Sequence, residues 1–506
     1  MSHILVVDVG TSSMRGVLFN ADGQILHTLQ RKYRVSYLSD SMAEQDPRDW
    51  EDALFTILRD HSRYTRENGI MISALALTAQ RSSILPVTRD GTPMCDAIMW
   101  LDKRNAPICG ALASMEDDIF RVTGARLNTV FSGSKMTWLK RNEPDLYRKS
   151  YKLMTIADYL AHLLTGQFKT DYTYGSRSLL MDIRKCEWDE DMVRLFEVDR
   201  EKLCELIPPG SVLGYTTRQI AEMTGCPAGI PLISAGGDQQ CAALGMGVIR
   251  EGDMEITSGT GGFLLAFADR VPDDIRPDVI CGAHAIPGKY VLESSMLSCS
   301  SLYDWCLHQF YQGVPEAELY ETINQDVLKS PAGANGCIAL PYFQGRGTPD
   351  WNSRARGSFI NLTLNTDRAD MARAVLEAVA LEAANNIETL ERYTGRGGSY
   401  FISGGLTYSE EFNRIQASAY DRKILQSDNV EQTALGAWAS TAVTTGLYRD
   451  YGDALRRAKQ RDHIAAYLPQ ADWVSVYQVK RTEMNRLYTL LYGGAQPEAL
   501  QSTGKR

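Results

Sequence analysis

Two short turns rich in glycine and threonine, far apart in the chain, constrain its fold more than any other feature. They have the sequences DVGTSS at residues 8–13 and TSGTGG at residues 257–262. Each turn lies between two apolar runs of the kind found in strands buried within a sheet. The runs are residues 4–7 and 14–19 for the first turn, and 254–256 and 263–267 for the second. This repeated pattern predicts a duplicated α/β fold.

The residues of the first turn suit it to an anionic ligand. Gly10 lets the backbone approach an anion closely, and the hydroxyls and amides of Thr11, Ser12 and Ser13 are short donors suited to phosphate oxygens. Asp8 would repel a bare phosphate. It fits if a cation such as Mg²⁺ lies between them, because Mg²⁺ is commonly held by one or two carboxylates together with phosphates. The turn therefore predicts phosphate binding with Asp8 as a metal ligand.

Gly259 and Thr260 give the second turn the same capacity for phosphate contacts. Neither turn ends in the Gly-Lys-Ser/Thr of a P-loop, which disfavours ordinary P-loop chemistry. One such turn alone is more simply a hairpin turn. Two turns in matching contexts favour a phosphate site between two halves of the protein.

Composition narrows the class of protein. A chain of 506 residues fits two domains of roughly 250 residues each. A net charge of −9 argues against general nucleic-acid binding. We find no apolar stretch near ~20 residues and no basic, apolar leader, and therefore expect a cytoplasmic protein without a membrane partner. The ten cysteines form no CxxC pair or His/Cys cluster, and the seven histidines are dispersed, so neither disulfides, Cys-His catalysis nor zinc is expected.

Polar residues that follow apolar strand-like runs mark the candidate site. Gln80 and Arg81 follow the run 72–78, and Asp238 and Gln239 follow the run 230–234 and two glycines. Side chains at the carboxyl ends of parallel strands point into the ligand crevice of open α/β sheets. We predict an N-terminal domain at 1–246, a C-terminal domain at 252–448 and a helical tail at 449–506. A hinge is expected between them, with backbone freedom from Gly245, Gly247 and Gly252.

Several ordered motifs make the chain similar to the FGGY carbohydrate kinases, the family of glycerol kinase, xylulokinase and gluconokinase. The resemblance spans about residues 4–447. Besides the two turns, it rests on FSGSKMTWL at 131–139, DYTYGSRSLL at 171–180, GDQQ at 237–240, RG at 356–357 with DMARAVLE at 370–377, and GG at 404–405 followed by Asn413, Gln416 and Ala417.

The resemblance implies two actin-like (ribonuclease H-like) ATPase domains with a deep interdomain cleft. It implies ATP and Mg²⁺ as cofactors and a small carbohydrate as partner. Whether the protein forms a homodimer is left open. Gly404 and Gly405 would bind the adenosine part of ATP. The acceptor pocket implied by the resemblance consists of Gln80, Arg81, Trp100, Asp102, Asp238, Gln239 and Phe263.

The needs of phosphoryl transfer also predict a role for individual residues, independently of the resemblance. A base must accept the proton of the acceptor hydroxyl, and a metal and fixed donors must surround the transferring phosphoryl group. Asp238 is the natural base, because two glycines allow its carboxylate to approach the substrate. Asp is also a favoured residue at a helix N-cap, so Asp238 could serve as a cap as well.

Departures from the family patterns leave the acceptor open. Ser82 stands where glycerol kinases carry Glu, and Val130 where they carry Tyr. The Met-His pair of xylulokinases is absent, although Asp102 and Arg104 resemble the ketose and gluconate kinase pattern. A small polyol, a four- to six-carbon ketose or a sugar acid remains open, with a quorum-signal kinase as an outlier. The alternatives are an acceptor-independent actin-like ATPase and an inactive ligand-binding relative.

Overall fold

Two large mixed sheets with helices packed on them form the framework of the protein, in a computed structural model that describes residues 2–493. The elements up to residue 246 are β1 His3–Val9, β2 Ser13–Phe19, β3 Ile25–Lys32, β4 Ser36–Ser39, β5 Met42–Gln45, α1 Pro47–Glu67, β6 Ile72–Ala79, β7 Ile84–Val87, β8 Ala97–Ile98, α2 Ala106–Ala111, α3 Glu116–Thr123, α4 Ser132–Asn142, α5 Pro144–Lys149, β9 Lys152–Thr155, α6 Ile156–Thr165, β10 Lys169–Asp171, α7 Tyr172–Gly175, β11 Met181–Asp182, β12 Glu187–Trp188, α8 Glu190–Leu195, β13 Glu205–Ile207, β14 Val212–Tyr215, α9 Arg218–Thr224, β15 Pro231–Gly237 and α10 Asp238–Met246.

The elements that follow belong mostly to the second sheet and its helices. They are β16 Met254–Ser258, β17 Gly262–Ala268, β18 Ile280–Ala283, β19 Tyr290–Met296, α11 Ser300–Phe310, α12 Leu319–Lys329, β20 Ile338–Leu340, β21 Ser358–Ile360, α13 Arg368–Thr394, β22 Tyr400–Ser403, α14 Glu410–Tyr420, β23 Ile424–Ser427, α15 Gln432–Thr444, α16 Tyr451–Ala458, β24 Ile464–Tyr467 and α17 Ala471–Tyr492.

The first sheet has the strand order β14-β15-β6-β1-β2-β3. Its central strand β1 pairs antiparallel with β2 and parallel with β6, and β6 pairs parallel with β15. Residues 4–7 of β1 are fully buried, as their unbroken apolar run predicts. The parallel strands bring the ends of β1, β6 and β15 to one edge of the sheet, where the chain next reaches Gln80 and Asp238.

Helix α1 shows why the local sequence folds as it does. Asp46 caps it by accepting a hydrogen bond from the amide of Arg48, and Pro47 occupies its first position. Trp50 and Leu54 recur at helical spacing and are buried against the first sheet. A cap residue, a proline at the first position and an apolar stripe thus account for the start and the packing of α1.

The second sheet repeats the plan of the first. Its order is β18-β19-β17-β16-β22-β23-β24. Strand β16 pairs antiparallel with β17 across the second glycine-rich turn and parallel with β22, and β22 pairs parallel with β23. Strands β16, β17 and β22 thus correspond to β1, β2 and β6. The duplicated α/β fold predicted from the two turns is confirmed.

The segment after residue 448 differs from the predicted all-helical tail. It contains α16 and α17, but β24 lies between them and extends the second sheet by pairing antiparallel with β23. The strand is a run of only four apolar residues, and a run this short does not distinguish a strand from part of a helix. The last part of the predicted tail, 494–506, lies outside the described residues.

Helices α10 and α15 cross at very close range. A Cβ added to Gly245 would lie 1.9 Å from the carbonyl oxygen of Gln432, and one added to Gly436 would lie 1.9 Å from that of Cys241. Gly245 lies inside α10, so it supplies close packing and not the hinge freedom predicted for it. Gly247 and Gly252 do have positive φ angles, of 105° and 84°.

All ten cysteines carry free thiols, and seven of them are buried. Burial raises the pKa of the Cys241 thiol, which lies beside the first sheet, and keeps it protonated. Among the helices of residues 2–493, none is long and apolar enough to cross a membrane.

The α10–α15 crossing predicts the effect of a single methyl group. Gly245→Ala should lower the free energy of unfolding by about 1–3 kcal/mol, because its Cβ would clash with rigid backbone. Denaturant unfolding measures this change. Gly110→Ala is the matched control, since Gly110 is also helical but no atom lies within 4 Å of its added Cβ. Equal stability of the two variants would contradict the packing role of Gly245.

Candidate active site

The first glycine-rich turn is held closed by its own backbone and by neighbouring side chains. The amide of Gly10 donates to the carbonyl oxygen of Ser13 at 2.9 Å. The hydroxyl of Tyr33 donates to the carbonyl oxygen of Gly10 at 2.8 Å. The indole Nε1 of Trp100 donates to Thr11 Oγ1 at 3.0 Å. Ser12 is exposed at the tip. The turn is therefore a fixed feature of the cleft wall, with Ser12 directed to solvent.

Asp8 lies near the end of β1, opposite Arg15 of β2. Burial, followed by repulsion from Asp238, raises the pKa of Asp8 to about 7. Asp8 and Asp238 are partly buried carboxyl groups that repel each other. A divalent cation bound between them would offset this repulsion. The charge environment of Asp8 is thus compatible with Mg²⁺.

Asp238 begins α10 directly after β15. Its Oδ1 accepts a hydrogen bond from the amide of Gln239 at 2.8 Å and lies 3.6 Å from Nε of Arg81. Its side chain is 28% exposed, so one part of the carboxylate remains open to the cleft. Partial withdrawal from water raises the pKa of Asp238, and Arg81 opposes that shift. The carboxylate is a stronger base than a free aspartate.

Gly237 makes this arrangement sterically feasible. A Cβ at Gly237 would lie 2.7 Å from Cδ of Arg81 and 2.8 Å from Oε1 of Gln240. The glycine before Asp238 therefore lets the Arg81 side chain pass close to the backbone. The glycine thus makes room for a neighbouring side chain, whereas the approach of the Asp238 carboxylate to a substrate stays a prediction.

A buried carboxylate from the second sheet joins the site and was not foreseen. Glu293 on β19 accepts from Arg81 Nη1 at 2.9 Å and from Arg177 Nη1 at 3.1 Å. Burial alone would raise the pKa of Glu293, but the two guanidinium groups hold it below its usual value. Burial lowers the pKa of Arg177 to about 10, which leaves it charged at neutral pH. Two arginines and one glutamate thus form a bridge next to Asp238.

One feature of the sequence indicates that Glu293 needs a cationic partner. Glu293 is the only charged residue of strand 290–296, which otherwise contains apolar, aromatic and serine residues. A charge in a buried strand needs a partner. Arg177 lies in the motif at 171–180, but the motif alone does not say which carboxylate it pairs with.

Other residues implied for the acceptor pocket differ in how they are placed. Gln80 is buried, and Phe263 exposes 43% of its surface. Gln239 is half-buried beside Asp238. Trp100 contacts the first turn, as described above.

Asp102 is placed differently from the expectation. Its side chain is fully buried, and its oxygens accept from the amide of Ala43 and from the guanidinium of Arg104 at 2.7–3.0 Å. These protein donors occupy the carboxylate that we expected to bind an acceptor hydroxyl. Asp102 instead holds Arg104 against the ring of Trp138, at 4.9 Å from the ring centroid.

A cavity of about 650 Å³ opens beside helix α10, next to the residue that follows Asp238. Its lining combines Gln239 and Met246 of α10 with Glu255 and with Gly404 and Gly405 after β22. Its size lies within the range of cofactor and small-ligand sites. The predicted adenosine-binding glycines thus border a cavity that also reaches the helix of the candidate base.

Gly404 brings the second glycine-rich turn to this cavity. A Cβ at Gly404 would lie 2.5 Å from the backbone of Ser258, and Gly404 has a φ of 96°. The carbonyl of Gly259 accepts from the amide of Ser300, and that of Thr260 accepts from the amide of Cys299. The turn is anchored to the start of α11, with the Thr260 side chain exposed.

The arrangement places a candidate base close to a cavity of a size that suits a cofactor or small ligand. Arg81 and Asp238 offer a donor and an acceptor to a hydroxyl compound on one side. The cavity and the two turns offer backbone amides and hydroxyls on the other side. Phosphoryl transfer needs such a pair of neighbouring sites, one for the acceptor and one for the phosphate donor.

Comparison with known proteins identifies relatives over nearly the whole chain. The N-terminal domain of the FGGY family of carbohydrate kinases matches residues 3–245, and the C-terminal domain matches residues 254–445. A xylulose kinase of Lactococcus lactis is 27% identical over 94% of the chain and 95% of its own length. A glycerol kinase of Thermococcus onnurineus is 30% identical over 90% of the chain and 91% of its own length.

Solved structures of this family have the same fold. The xylulose kinase of Rhodospirillum rubrum superposes with a TM-score of 0.91 at 23% identity, covering 97% of the chain and 99% of that protein. The glycerol kinase of Plasmodium falciparum with ADP gives 0.88 at 25% identity, covering 96% and 98%. The chain therefore belongs to the FGGY family of carbohydrate kinases, phosphotransferases that act on an alcohol group.

Proposed function

We propose that the protein uses ATP to phosphorylate a hydroxyl of a small sugar, ketose, sugar acid or polyol, with Asp238 as general base. The observation that carries this proposal is the position of Asp238, which lies beside Arg81 and directly precedes Gln239, a residue that lines the cavity of about 650 Å³. The family membership and the xylulose and glycerol kinases among its relatives support a carbohydrate acceptor.

Asp238 would accept the proton of the attacking hydroxyl. Partial burial raises the pKa of Asp238 and so increases its basicity. Arg81 is held by Glu293 and can donate a hydrogen bond to a second hydroxyl of the acceptor. An acceptor fixed at two points presents one hydroxyl to the base, which reduces the entropy cost of reaction.

On the nucleotide side, Gly404 and Gly405 would contact the adenosine part of ATP. Thr11, Ser12 and Ser13 of the first turn, and Gly259 and Thr260 of the second, would donate to its phosphates. We assign Asp8 to Mg²⁺, which when bound would spread the negative charge of the transferring phosphoryl group. Closure of the cleft would exclude water, which otherwise competes with the acceptor hydroxyl.

The carboxylates near Asp238 bear on the choice of acceptor. Glu293 is engaged by two arginines, and Asp102 is engaged by Arg104. Ser82 donates its hydroxyl to the carbonyl of Arg177 at 3.3 Å and supplies no carboxylate. Asp238 is thus left as the main carboxylate acceptor for substrate hydroxyls, which disfavours the glycerol pattern.

A substrate panel tests the proposed reaction and this expectation together. ADP release should rise on addition of at least one ketose, sugar acid or longer polyol, and glycerol should be a poor acceptor. A site that pairs hydroxyls discriminates strongly when one partner is missing. If glycerol outperforms every longer acceptor, this account of the pocket is wrong. Basal ATP hydrolysis that no acceptor stimulates would favour the ATPase alternative.

Asp238→Asn tests the base directly. The substitution should lower kcat by about 10² to 10⁴, because Asn is nearly isosteric but cannot accept the proton. Unfolding curves and ATP binding should remain close to those of the parent protein. Asp145→Asn is the control, since the Asp145 side chain is 76% exposed on α5. Near-normal turnover of Asp238→Asn would remove this residue from the mechanism.

Glu255 on the cavity wall affects the stability of the site. Its Oε1 accepts from the hydroxyl of Thr257 at 2.8 Å, whereas its Oε2 is buried without a hydrogen-bond partner among the described residues. Burial raises the pKa of Glu255 from 4.5 to about 7. Because the folded pKa lies above the unfolded one, ionisation of Glu255 destabilises the fold, and this cost grows as pH rises from about 4.5 to about 7.

Glu255→Gln should therefore raise the free energy of unfolding of the ligand-free protein more at about pH 8 than at about pH 5. Denaturant unfolding at the two values measures the difference between the variant and the parent. Glu143→Gln, at an exposed position, should show no such trend. A larger gain in stability at the lower pH would contradict the upward shift of the Glu255 pKa.

A further inference from the structure

Two histidines and one aspartate form a cluster outside the candidate active site. His27 lies on the edge strand β3 of the first sheet, and Asp60 and His61 lie on α1, which packs against that sheet. One ligand atom from each residue lies within 4.8 Å of the other two. Imidazole and carboxylate are the usual nitrogen and oxygen ligands of zinc-class cations.

His61 has a free ring nitrogen in a buried position. Its Nδ1 lies 2.9 Å from the carbonyl oxygen of Ile57 and donates to it, because a carbonyl can only accept. This hydrogen bond leaves the lone pair on Nε2. His61 is fully buried, and its Nε2 has no hydrogen-bond partner among residues 2–493. A backbone carbonyl on one nitrogen commonly orients a histidine whose other nitrogen binds a metal.

His27 and Asp60 provide the more accessible side of the cluster. Nε2 of His27 lies 2.6 Å from Oδ2 of Asp60, and their side chains are 28% and 16% exposed. The ring of Tyr64 stacks on that of His27 with centroids 4.4 Å apart and fixes its orientation. The exposed side gives a cation a route of entry and leaves room for a water ligand.

An ion pair between His27 and Asp60 accounts for only part of the cluster. Asp60 also contacts Arg63, so its charge is compensated without a metal. Neither contact gives Nε2 of His61 a partner, and a buried nitrogen without a partner is unfavourable. A cation shared by the three residues would satisfy it.

We propose that His27, Asp60 and His61 bind one divalent cation of the zinc class, with water completing the coordination. The site is separate from the Mg²⁺ site assigned to Asp8, because two imidazoles favour zinc-class cations whereas Mg²⁺ prefers oxygen ligands. The cation would tie the edge strand β3 to α1. Its role is to stabilise the first sheet, and the proposal does not depend on the acceptor.

Zinc titration of the tag-free, full-length protein, with Mg²⁺ in excess, tests the proposal. One Zn²⁺ per chain should bind and raise the midpoint of thermal unfolding. His27→Gln and Asp60→Asn should each weaken zinc binding at least about tenfold, since each removes a ligand. Both positions are partly exposed, so these variants should fold even if a substitution of buried His61 does not.

His308→Gln is the matched control, since His308 is exposed on α11, and it should bind zinc as the parent does. Co²⁺ provides a second readout, because binding here should give visible absorption without the near-ultraviolet band of a thiolate ligand. Zinc binding that is unchanged in both His27→Gln and Asp60→Asn would overturn the proposal. So would a thiolate band, or the absence of any zinc-dependent stabilisation of the parent protein.

Discussion

The bridge from Glu293 to Arg81 and Arg177 is the interaction on which the candidate active site depends. Both arginines come from the N-terminal half of the chain, whereas Glu293 lies in the second sheet. Removing one member of a buried ion pair typically costs about 3–5 kcal/mol, because the remaining charge loses its partner. The bridge therefore both joins the two halves and fixes Arg81 beside Asp238. The acceptor side of the site cannot be assigned to one half alone.

Helix α10 links the two sides of the cleft. Asp238 occupies its first position on the proposed acceptor side, the next residue Gln239 lines the proposed nucleotide cavity, and Met246 lines it at the other end of the helix. Its other end is fixed by the close crossing with α15 at Gly245. Because one helix carries both the candidate base and part of the cavity wall, the base would keep its position relative to that part of the proposed nucleotide site. The proposed closure would then need backbone movement outside the helix, and Gly247 and Gly252 have positive φ angles that only glycine adopts readily.

The sequence predicts those parts of the structure that depend on local pattern. The two turns, helix α1 and the position of Asp238 after β15 follow from apolar runs, a cap residue and paired glycines. Contacts between distant segments are not encoded in this way. The partner of Arg81 lies 212 residues away on β19, and the burial of Asp102 depends on the backbone of Ala43. Gly245 illustrates the same limit, since a glycine needed for packing cannot be distinguished by sequence alone from one needed for flexibility.

The most direct test of the account is the stoichiometry of the reaction with an acceptor found active. ADP and phosphorylated acceptor would be measured in the same sample, the former by a coupled assay and the latter by mass spectrometry. We predict equal amounts of both and little free phosphate, because the closed cleft would deliver the phosphoryl group to the hydroxyl bound at Asp238. ADP formed together with free phosphate, and with no phosphorylated acceptor, would contradict the account.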